Sequence, residues 1–312
     1  MGRKQICLVG CGGIGQMHAK HLSDHADLYF YSRSRASAEA FLSTFGGKAA
    51  FADYQSVLSD AAIDAVVITS PPEVHEAQVV QALQAGKNVL VEKPMCVSPG
   101  EVEAIGEAEA ASNGFLMVAE NYYYKPSLEK MKSLITEGAI GTVQFVRVQK
   151  VFTQAADGWK AGYGALLEGG IHFVALISDL FDAAPEQVEG IFPDGKVDRE
   201  RHSVTRMRYV GGEQAELQYA WNVKSLTKGV FQHSEIVGDA GKIVFESNGI
   251  YFYVRGKHRS GVFFPGFKDL MGTRRMISDF LYCLEDGARR PYSDFEKAKR
   301  DLGVVFQAYG MA

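Results

Sequence analysis

The chain has 312 residues, of which 46% are hydrophobic and 22% charged, and its formal net charge at pH 7 is -4. Because this length exceeds one ordinary hydrophobic core, we expect two domains. The near-neutral charge, without a basic stripe or an acidic tail, argues against nucleic acid and anionic membranes as partners. No apolar run in the sequence reaches the roughly 18 residues that a membrane span requires, so we expect no transmembrane helix.

The cysteines and the start of the chain favour the cytoplasm. Cys7, Cys11, Cys96 and Cys283 show no paired spacing, which is typical of reduced thiols rather than of a disulfide framework. Glycines of a strand–turn–helix pattern interrupt the apolar N-terminus, so we do not interpret it as a signal peptide. The expected location is therefore cytoplasmic.

A glycine-rich turn follows the first apolar run. Residues 10–15 read GCGGIG, a GxGxxG pattern between a strand-like run and a helix-like run. In such turns the first glycine permits a tight bend, the second lets backbone approach a pyrophosphate, and the third allows close packing of helix on sheet. Here these glycines are Gly10, Gly12 and Gly15. Gly13 and Ile14 begin the helix, whose free N–H groups suit phosphates. The pattern predicts a dinucleotide site.

Short apolar runs alternate with helical segments over the first 120 residues. Beyond residues 6–9, the runs that suit strands buried on both faces are 28–31, 65–69, 88–91 and 115–119. Ser98, Pro99 and Glu101 form a helix-start signal, and Gly86 ends the helix before it. The alternation predicts a doubly wound, mostly parallel sheet over residues 1–120, the arrangement of a Rossmann domain.

Hairpin signals dominate from about residue 142. Predicted strands flank two-residue turn signals: 205–210 and 214–220 around Gly211-Gly212, and 242–246 and 251–254 around Asn248-Gly249. Helical segments are predicted at about 126–137, 166–181, 268–285 and 293–309. Residues 121–312 are therefore expected to form an α+β domain with a mostly antiparallel sheet.

Polar motifs follow two predicted strands at the carboxyl edge of the parallel sheet, where ligands of such folds bind. Glu92-Lys93-Pro94 follows the run 88–91, and the Lys93 ammonium is suited to stabilising charge on a substrate oxygen. A solvated lysine at a strand end is the alternative. Ser70-Pro71-Pro72, with His75 after it, is a rigid turn that walls a cofactor cleft or simply starts a helix.

An acid and an imidazole stand four residues apart in the second half of the chain. On a helix, Glu168 and His172 would share one face. The imidazole suits exchange of a substrate proton near neutral pH, and the carboxylate suits orienting the ring. The alternative is a surface pair or a core histidine. Trp159, Lys160 and Tyr163 precede them and line a substrate pocket or pack a domain interface.

Three histidines on the first predicted helix invite a metal interpretation. His18, His21 and His25 have no cysteine or carboxylate that completes a zinc-like set. Histidines at this spacing usually lie on a helix surface. We predict no metal site.

These motifs together resemble the Gfo/Idh/MocA oxidoreductase family over nearly the whole chain. The most specific block is residues 85–94, which read AGKNVLVEKP. The other matching positions are Gly10, Gly12 and Gly15 with His18 and Ala19; Ser70, Pro71, Pro72 and His75; Asn121, Tyr124 and Pro126; residues 138–141; and residues 168–172. The resemblance implies a Rossmann domain followed by a domain with a large open sheet, with the active site between them.

The resemblance also implies roles for single residues. The family's usual catalytic group is the lysine of Glu-Lys-Pro, an Asp, and a His four residues later, which correspond to Lys93, Glu168 and His172. Glu168 departs from the family pattern, and one extra methylene is enough to change how the carboxylate meets a substrate hydroxyl. The implied substrate-binding residues are Lys93, Asn121, Tyr124 and His172, and Tyr163 is added to them because of its position just before Glu168. The implied cofactor-binding residues beyond the glycine turn are Ser70, Pro71, His75, Glu92 and Lys93.

The end of the second predicted strand bears on the choice of cofactor. NAD-preferring sites carry an acidic residue there for the ribose hydroxyls. This chain has Ser32-Arg33-Ser34-Arg35 instead, and Arg33 or Arg35 suits a charge-assisted bond to a 2′-phosphate. We therefore expect NADP(H) to be preferred and NAD(H) to be possible. An ordinary basic loop that tolerates either is the alternative.

These inferences define the expected function. It is hydride transfer between NADP(H) and a hydroxyl or ketone of a sugar, polyol or related small molecule, the substrate class being implied by the resemblance. One alternative is a glycosidase that works by transient oxidation with a tightly held dinucleotide. The other is a non-catalytic dinucleotide-sensing regulator. The resemblance also implies a homodimer or homotetramer.

Overall fold

The computed structural model describes residues 2–195, 197 and 199–311, which divide into two compact units. Unit 1 comprises Met1–Glu120 and Arg274–Ala298, and unit 2 comprises Asn121–Thr273 and Lys299–Ala312. The change of unit after residue 120 coincides with the predicted boundary. The segment 274–298, however, returns to unit 1, although the sequence analysis assigns it to the second domain. Its buried face explains this, since Phe280 packs edge-on against Phe115 with ring centroids 5.9 Å apart.

Unit 1 is built on a parallel sheet that has six strands in the described residues, in the order β3-β2-β1-β4-β5-β6. The strands are β1 Lys4–Val9, β2 Ala26–Tyr31, β3 Ala49–Ala50, β4 Ala65–Ile68, β5 Asn88–Val91 and β6 Leu116–Val118. The helices between them are α1 Gly13–Leu22, α2 Arg35–Phe45, α3 Tyr54–Ser59, α4 His75–Gln84 and α5 Pro99–Ala111. The strand order reverses beside β1, which is the place where doubly wound sheets bind ligands.

Unit 2 is built on a sheet that has eight strands in the described residues, in the order β14-β13-β12-β11-β7-β10-β9-β8. The strands are β7 Val143–Val151, β8 Gln187–Ile191, β9 His202–Arg208, β10 Gln214–Ala220, β11 His233–Gly238, β12 Gly241–Glu246, β13 Phe252–Gly256 and β14 Ser260–Phe263. The pairing is antiparallel except between β7 and β10. Its helices include α6 Pro126–Thr136 and α7 Ile171–Phe181. Of the last two helices, α8 Thr273–Glu285 belongs to unit 1 except for its first residue, and α9 Phe295–Tyr309 begins in unit 1 and ends in unit 2.

The two predicted hairpins form, but their loops are longer than two residues. Tyr209 N donates to Glu213 O at 2.9 Å, so the first hairpin closes over residues 210–212 with Gly212 at φ +91°. Glu246 N donates to Tyr251 O at 2.9 Å, and the second hairpin closes over residues 247–250. Each loop places one glycine in the left-handed region, which three- and four-residue loops also require. The glycine dipeptides therefore locate the turns but do not fix their length.

The helices of the described residues include none with the length and apolar character that a membrane crossing needs. Among those residues, His, Cys, Asp and Glu side chains form no group of three that could hold a metal ion.

Candidate active site

The glycine turn between β1 and α1 contains two kinds of glycine. A Cβ on Gly10, which has φ +110°, would lie 2.6 Å from Ser70 N, and one on Gly15 would lie 2.5 Å from Gly10 O. A Cβ on Gly12 or Gly13 would meet no heavy atom of the described chain within 4 Å. Packing within the protein therefore requires glycine at positions 10 and 15, whereas positions 12 and 13 leave space open.

That open space lies at the N-terminus of α1. Gly12 is the N-cap residue and supplies no side chain to the first turn, so the N–H groups there remain available. Backbone donors at the positive end of a helix suit a pyrophosphate. The residues present therefore fit a dinucleotide.

The turn after β2 carries the residues predicted to select the cofactor. Ser32 is half-buried, whereas Arg33 is exposed. Arg35 is the first residue of α2, and its Nε donates to Glu39 Oε1 at 2.8 Å on the same helix. Ser34 caps that helix by accepting a bond from Ser37 N. Of the two arginines, Arg33 is thus the one without an ion pair within the described chain.

His75 ties together the two loops that follow β4 and β5. Its Nδ1 lies 2.9 Å from Pro94 O and its Nε2 lies 2.8 Å from Ser70 O. The ring is 1% exposed, and burial lowers its pKa. His75 therefore supports the Ser70-Pro71 turn from within. The Ser70 hydroxyl donates to Gln78 Oε1 at 2.5 Å.

A buried hydrogen bond joins α1 to the residue that precedes Lys93. His18 Nε2 lies 2.7 Å from Glu92 Oε1, and Lys93 N donates to Glu92 Oε2 at 3.2 Å. Burial raises the pKa of Glu92, but the bond to His18 and the charges of His18, Lys93 and His75 outweigh it, so the pKa is lowered. His18 is fully buried, contrary to the helix-surface position expected from its spacing. Glu92 thus supports the backbone of Lys93.

In unit 2, the helix predicted at 166–181 begins with a different winding. Leu166–Gly170 is a π-helical turn, and α7 starts at Ile171. Such wide turns are rare and occur frequently at functional sites. Glu168, which is 6% exposed, lies in this turn, and Lys160 Nζ is 2.9 Å from its Oε1. The sequence paired Glu168 with His172, and the structure adds Lys160 as its ion-pair partner.

His172 lies in the first turn of α7 and is half-buried. The Tyr122 ring stacks on its imidazole with centroids 4.6 Å apart and planes inclined by 14°. Phe173 packs edge-on against the same tyrosine, and Lys125 Nζ lies 4.1 Å from the tyrosine ring centroid. The imidazole plane is therefore held by an aromatic neighbour.

The remaining predicted substrate-binding residues also belong to unit 2. Asn121 and Tyr124 share the 3₁₀ turn Asn121–Tyr124, and Asn121 Nδ2 donates to Met271 O at 2.6 Å. Tyr163 follows the turn Gly158–Gly162, is half-buried, and packs against Trp159 with centroids 6.1 Å apart. The amide of Asn121 thus has a structural partner, whereas both tyrosines retain exposed surface.

Sequence reasoning missed the role of Tyr122 and the pairing of His18 with Glu92. Tyr122 lies in the same short turn as Asn121 and Tyr124, which were predicted to bind substrate. The run of three tyrosines at 122–124 was the available sequence signal for an aromatic contact. The pairing of His18 with Glu92 joins residues 74 positions apart, and no local pattern reveals it.

Comparisons with known proteins agree with this architecture. Residues 4–120 match the model of an oxidoreductase family with an NAD-binding Rossmann fold, and residues 128–244 match the GFO/IDH/MocA C-terminal domain. Glucose-6-phosphate 3-dehydrogenase of Bacillus subtilis (strain 168) is 31% identical over 58% of this chain and 54% of the relative. Inositol 2-dehydrogenase of Rhizobium meliloti (strain 1021) is 27% identical over 90% of this chain and 88% of the relative.

The first curated relatives are matched over only about half of their length. Among solved structures, an oxidoreductase from Agrobacterium radiobacter in complex with NAD+, L-tartaric acid and magnesium has a TM-score of 0.88 at 17% identity. The match covers 100% of this chain and 96% of that one, and it concerns the fold alone. Since the two family models match in order and together take in most of the sequence, the chain belongs to the Gfo/Idh/MocA oxidoreductase family.

Proposed function

We propose that this protein is a nicotinamide-dependent oxidoreductase that acts on a hydroxyl or ketone of a sugar, polyol or related small molecule. The main support is that the glycine turn and Lys93 lie at the same edge of the parallel sheet in unit 1. The glycine turn follows β1, and Lys93 comes two residues after the end of β5, with only β4 between these strands. A dinucleotide cradle and a cation suited to an oxygen atom thus stand at the carboxyl ends of near neighbours.

Each residue has a distinct task in this proposal. Gly10, Gly12, Gly13, Ile14 and Gly15 form the turn that holds the pyrophosphate. A bound nicotinamide supplies or accepts the hydride.

The side chains of the proposed catalytic group handle charge and protons. The Lys93 ammonium stabilises negative charge on the substrate oxygen. The His172 imidazole takes or gives the hydroxyl proton, and Tyr122 fixes the plane in which it does so. Glu168, paired with Lys160, orients the substrate or the imidazole. Asn121, Tyr124 and Tyr163 contribute to binding the substrate.

We propose that NADP(H) is the preferred dinucleotide. The turn after β2 offers the exposed Arg33 guanidinium beside Ser32 and no carboxylate at the strand end. Arg35 contributes less than the sequence suggests, because Glu39 already pairs with it. Ser70 and Pro71 follow β4 at the carboxyl edge of the same sheet and contribute to binding the dinucleotide.

The substrate class rests on the family and on the names of the relatives, which are dehydrogenases of glucose 6-phosphate and of inositol. The test is a panel of sugars, inositols and their keto forms, assayed in both directions with NADP(H) and NAD(H). We expect stoichiometric appearance or loss of reduced nicotinamide with at least one pair. Release of a sugar from a glycoside without net reduction would favour the transient-oxidation glycosidase. Absence of turnover across the panel, with retained dinucleotide binding, would favour the regulator.

We further propose that the protein is a cytoplasmic homodimer or homotetramer, as the family resemblance implies. The open face of the unit 2 sheet offers a surface for pairing, with exposed Arg147 and Arg206 near Glu216 and Glu235. Light scattering of the purified full chain measures the oligomeric state directly.

A further inference from the structure

The π-helical turn that carries Glu168 begins without a side-chain cap of its own within the described chain. Nevertheless, every N–H group of the described residues 165–168 has an acceptor. The bonds run from Ala165 N to Glu200 O (2.9 Å), from Leu166 N to Glu200 Oε1 (2.6 Å), from Leu167 N to Tyr309 Oη (3.2 Å) and from Glu168 N to Gly164 O (3.1 Å). Two distant side chains thus do the work that an N-cap residue does in an ordinary helix.

Glu200 and Tyr309 form one connected anchor. The Tyr309 hydroxyl donates to Glu200 Oε2 at 3.0 Å, so the residue that receives the Leu167 amide is itself fixed by the carboxylate. Glu200 is 1% exposed. A Cβ on Gly164 would lie 1.6 Å from Glu200 Oε2, so a glycine there is what lets the carboxylate reach the turn. Burial of a carboxyl group costs free energy unless bonds of this kind offset it.

We infer that Glu200 and Tyr309 are positioning residues of the proposed active site, and that Glu200 makes their hold on the turn bearing Glu168, which leads into His172, depend on pH. The inference rests on the proposed function. The anchored backbone leads directly into Glu168 and, one turn later, into His172, and small misplacements of reacting groups are costly. Glu200 reaches that turn through backbone amides, so it acts through the residues it positions.

Glu200 changes its protonation state within the physiological pH range. Burial raises its pKa to about 7, although the Leu166 amide, the Tyr309 hydroxyl and the charge of Arg201 lower it. Among the residues that the structure describes, Tyr309 and Arg201 are the titratable groups that act on the carboxyl. Because this pKa lies above the roughly 4.3 of an exposed glutamate, the folded state favours the protonated carboxyl. The stabilising contribution is complete below about pH 4.3 and is lost as pH rises through about 7.

The first measurement is hydrogen exchange of residues 164–172 in the full chain, at matched pH for each variant. Glu200→Gln keeps an acceptor for Leu166 but cannot ionise, so it represents the protonated state. From pH 6 to pH 8, protection of the wild-type turn should fall about tenfold relative to Glu200→Gln, which is the change that one group titrating near 7 allows. Tyr309→Phe should raise exchange of the Leu167 amide at both pH values. Glu186→Gln, at an exposed carboxyl of the same unit, should change nothing.

The second measurement is turnover of the same proteins. The ratio of wild-type kcat to that of Glu200→Gln should fall between pH 6 and pH 8, with the affinity for dinucleotide unchanged. Tyr309→Phe should lower kcat more than it changes KM. A pH-independent ratio, or exchange in Tyr309→Phe that equals the wild type, overturns the inference. Wild-type protein that shows the exchange differences but turns over no substrate supports the anchor and contradicts the proposed function, so the two failures are distinguishable.

Discussion

The sheet edge of unit 1 and the turn bearing Glu168 in unit 2 hold their functional residues in different ways. In unit 1, the glycine turn joins a strand to the next helix, and Lys93 comes two residues beyond a strand end. Local chain geometry therefore places these groups, and the bonds from His18 to Glu92 and from His75 to Pro94 support the loop that carries Lys93. In unit 2, the turn Leu166–Gly170 is held by Glu200 and Tyr309, which lie 34 and 142 positions away from the amides they accept.

This difference teaches where each kind of site is vulnerable. A locally built site is damaged mainly by changes within its own motif. A site held over long range is also damaged by residues that touch neither substrate nor cofactor.

The largest effect is expected from Lys93→Met. This substitution removes the ammonium group that is proposed to stabilise charge on the substrate oxygen, so kcat should fall about 10²- to 10³-fold. Dinucleotide affinity, measured by fluorescence titration, should change less than about threefold, because the phosphate contacts reside in the glycine turn. Lys20→Met, at an exposed lysine of α1, serves as the control and should leave both quantities unchanged. Retained turnover in Lys93→Met would remove Lys93 from the mechanism.

The two kinds of glycine in the turn offer a matched pair. Gly15→Ala places a Cβ 2.5 Å from Gly10 O, so we expect a loss of about 1–3 kcal/mol in the free energy of unfolding. Gly12→Ala meets no atom of the described chain within 4 Å and should leave thermal stability nearly unchanged. The new methyl group would instead crowd the pyrophosphate and weaken dinucleotide binding about tenfold or more. Equal losses of stability in the two variants would contradict the assignment of open space to a ligand.

Much of unit 1 could be predicted from the sequence, because its signals are local. Four apolar runs became β2, β4, β5 and β6 with ends shifted by at most two residues. β3 was not predicted, since Ala49–Ala50 is only two residues long and carries no periodicity. The return of residues 274–298 to unit 1 was also missed. A helix pattern shows which face is apolar but not which core that face joins.

The site in unit 2 was predictable only in part. The spacing of Glu168 and His172 located the segment, yet an α-helix was expected where a π-helical turn occurs. One extra residue in a turn leaves no mark on an apolar pattern, and it is the bonds from Glu200 and Tyr309 that stabilise this start. Contacts across such separations depend on the completed fold, so a single sequence does not reveal them.

The proposed preference for NADP(H) gives a sharper test of the local site. Arg33→Ala should weaken binding of NADP(H) about tenfold or more and leave NAD(H) within about twofold, since one charge-assisted hydrogen bond contributes ~1.5–3 kcal/mol. Arg35→Ala is the control, because that guanidinium already bonds Glu39 and should contribute less. Competitive titration with both dinucleotides measures the change. Equal losses for the two dinucleotides in Arg33→Ala would contradict the proposed preference.

The smallest effect should come from the ring that faces His172. Tyr122→Leu removes the stack, and an aromatic pair contributes ~0.5–1.5 kcal/mol beyond its buried area. If the stack fixes the imidazole plane, kcat should fall about two- to tenfold, in proportion to that free energy. Tyr122→Phe keeps the ring and should retain kcat, which separates stacking from any role of the hydroxyl. An equal loss of kcat in both variants would assign the effect to the hydroxyl. If the Tyr122→Leu variant turned over substrate as fast as the wild type, neighbours on α7 alone would suffice to hold the imidazole of His172. The contrast between a locally built site and one held over long range would then apply to Glu168 and not to His172.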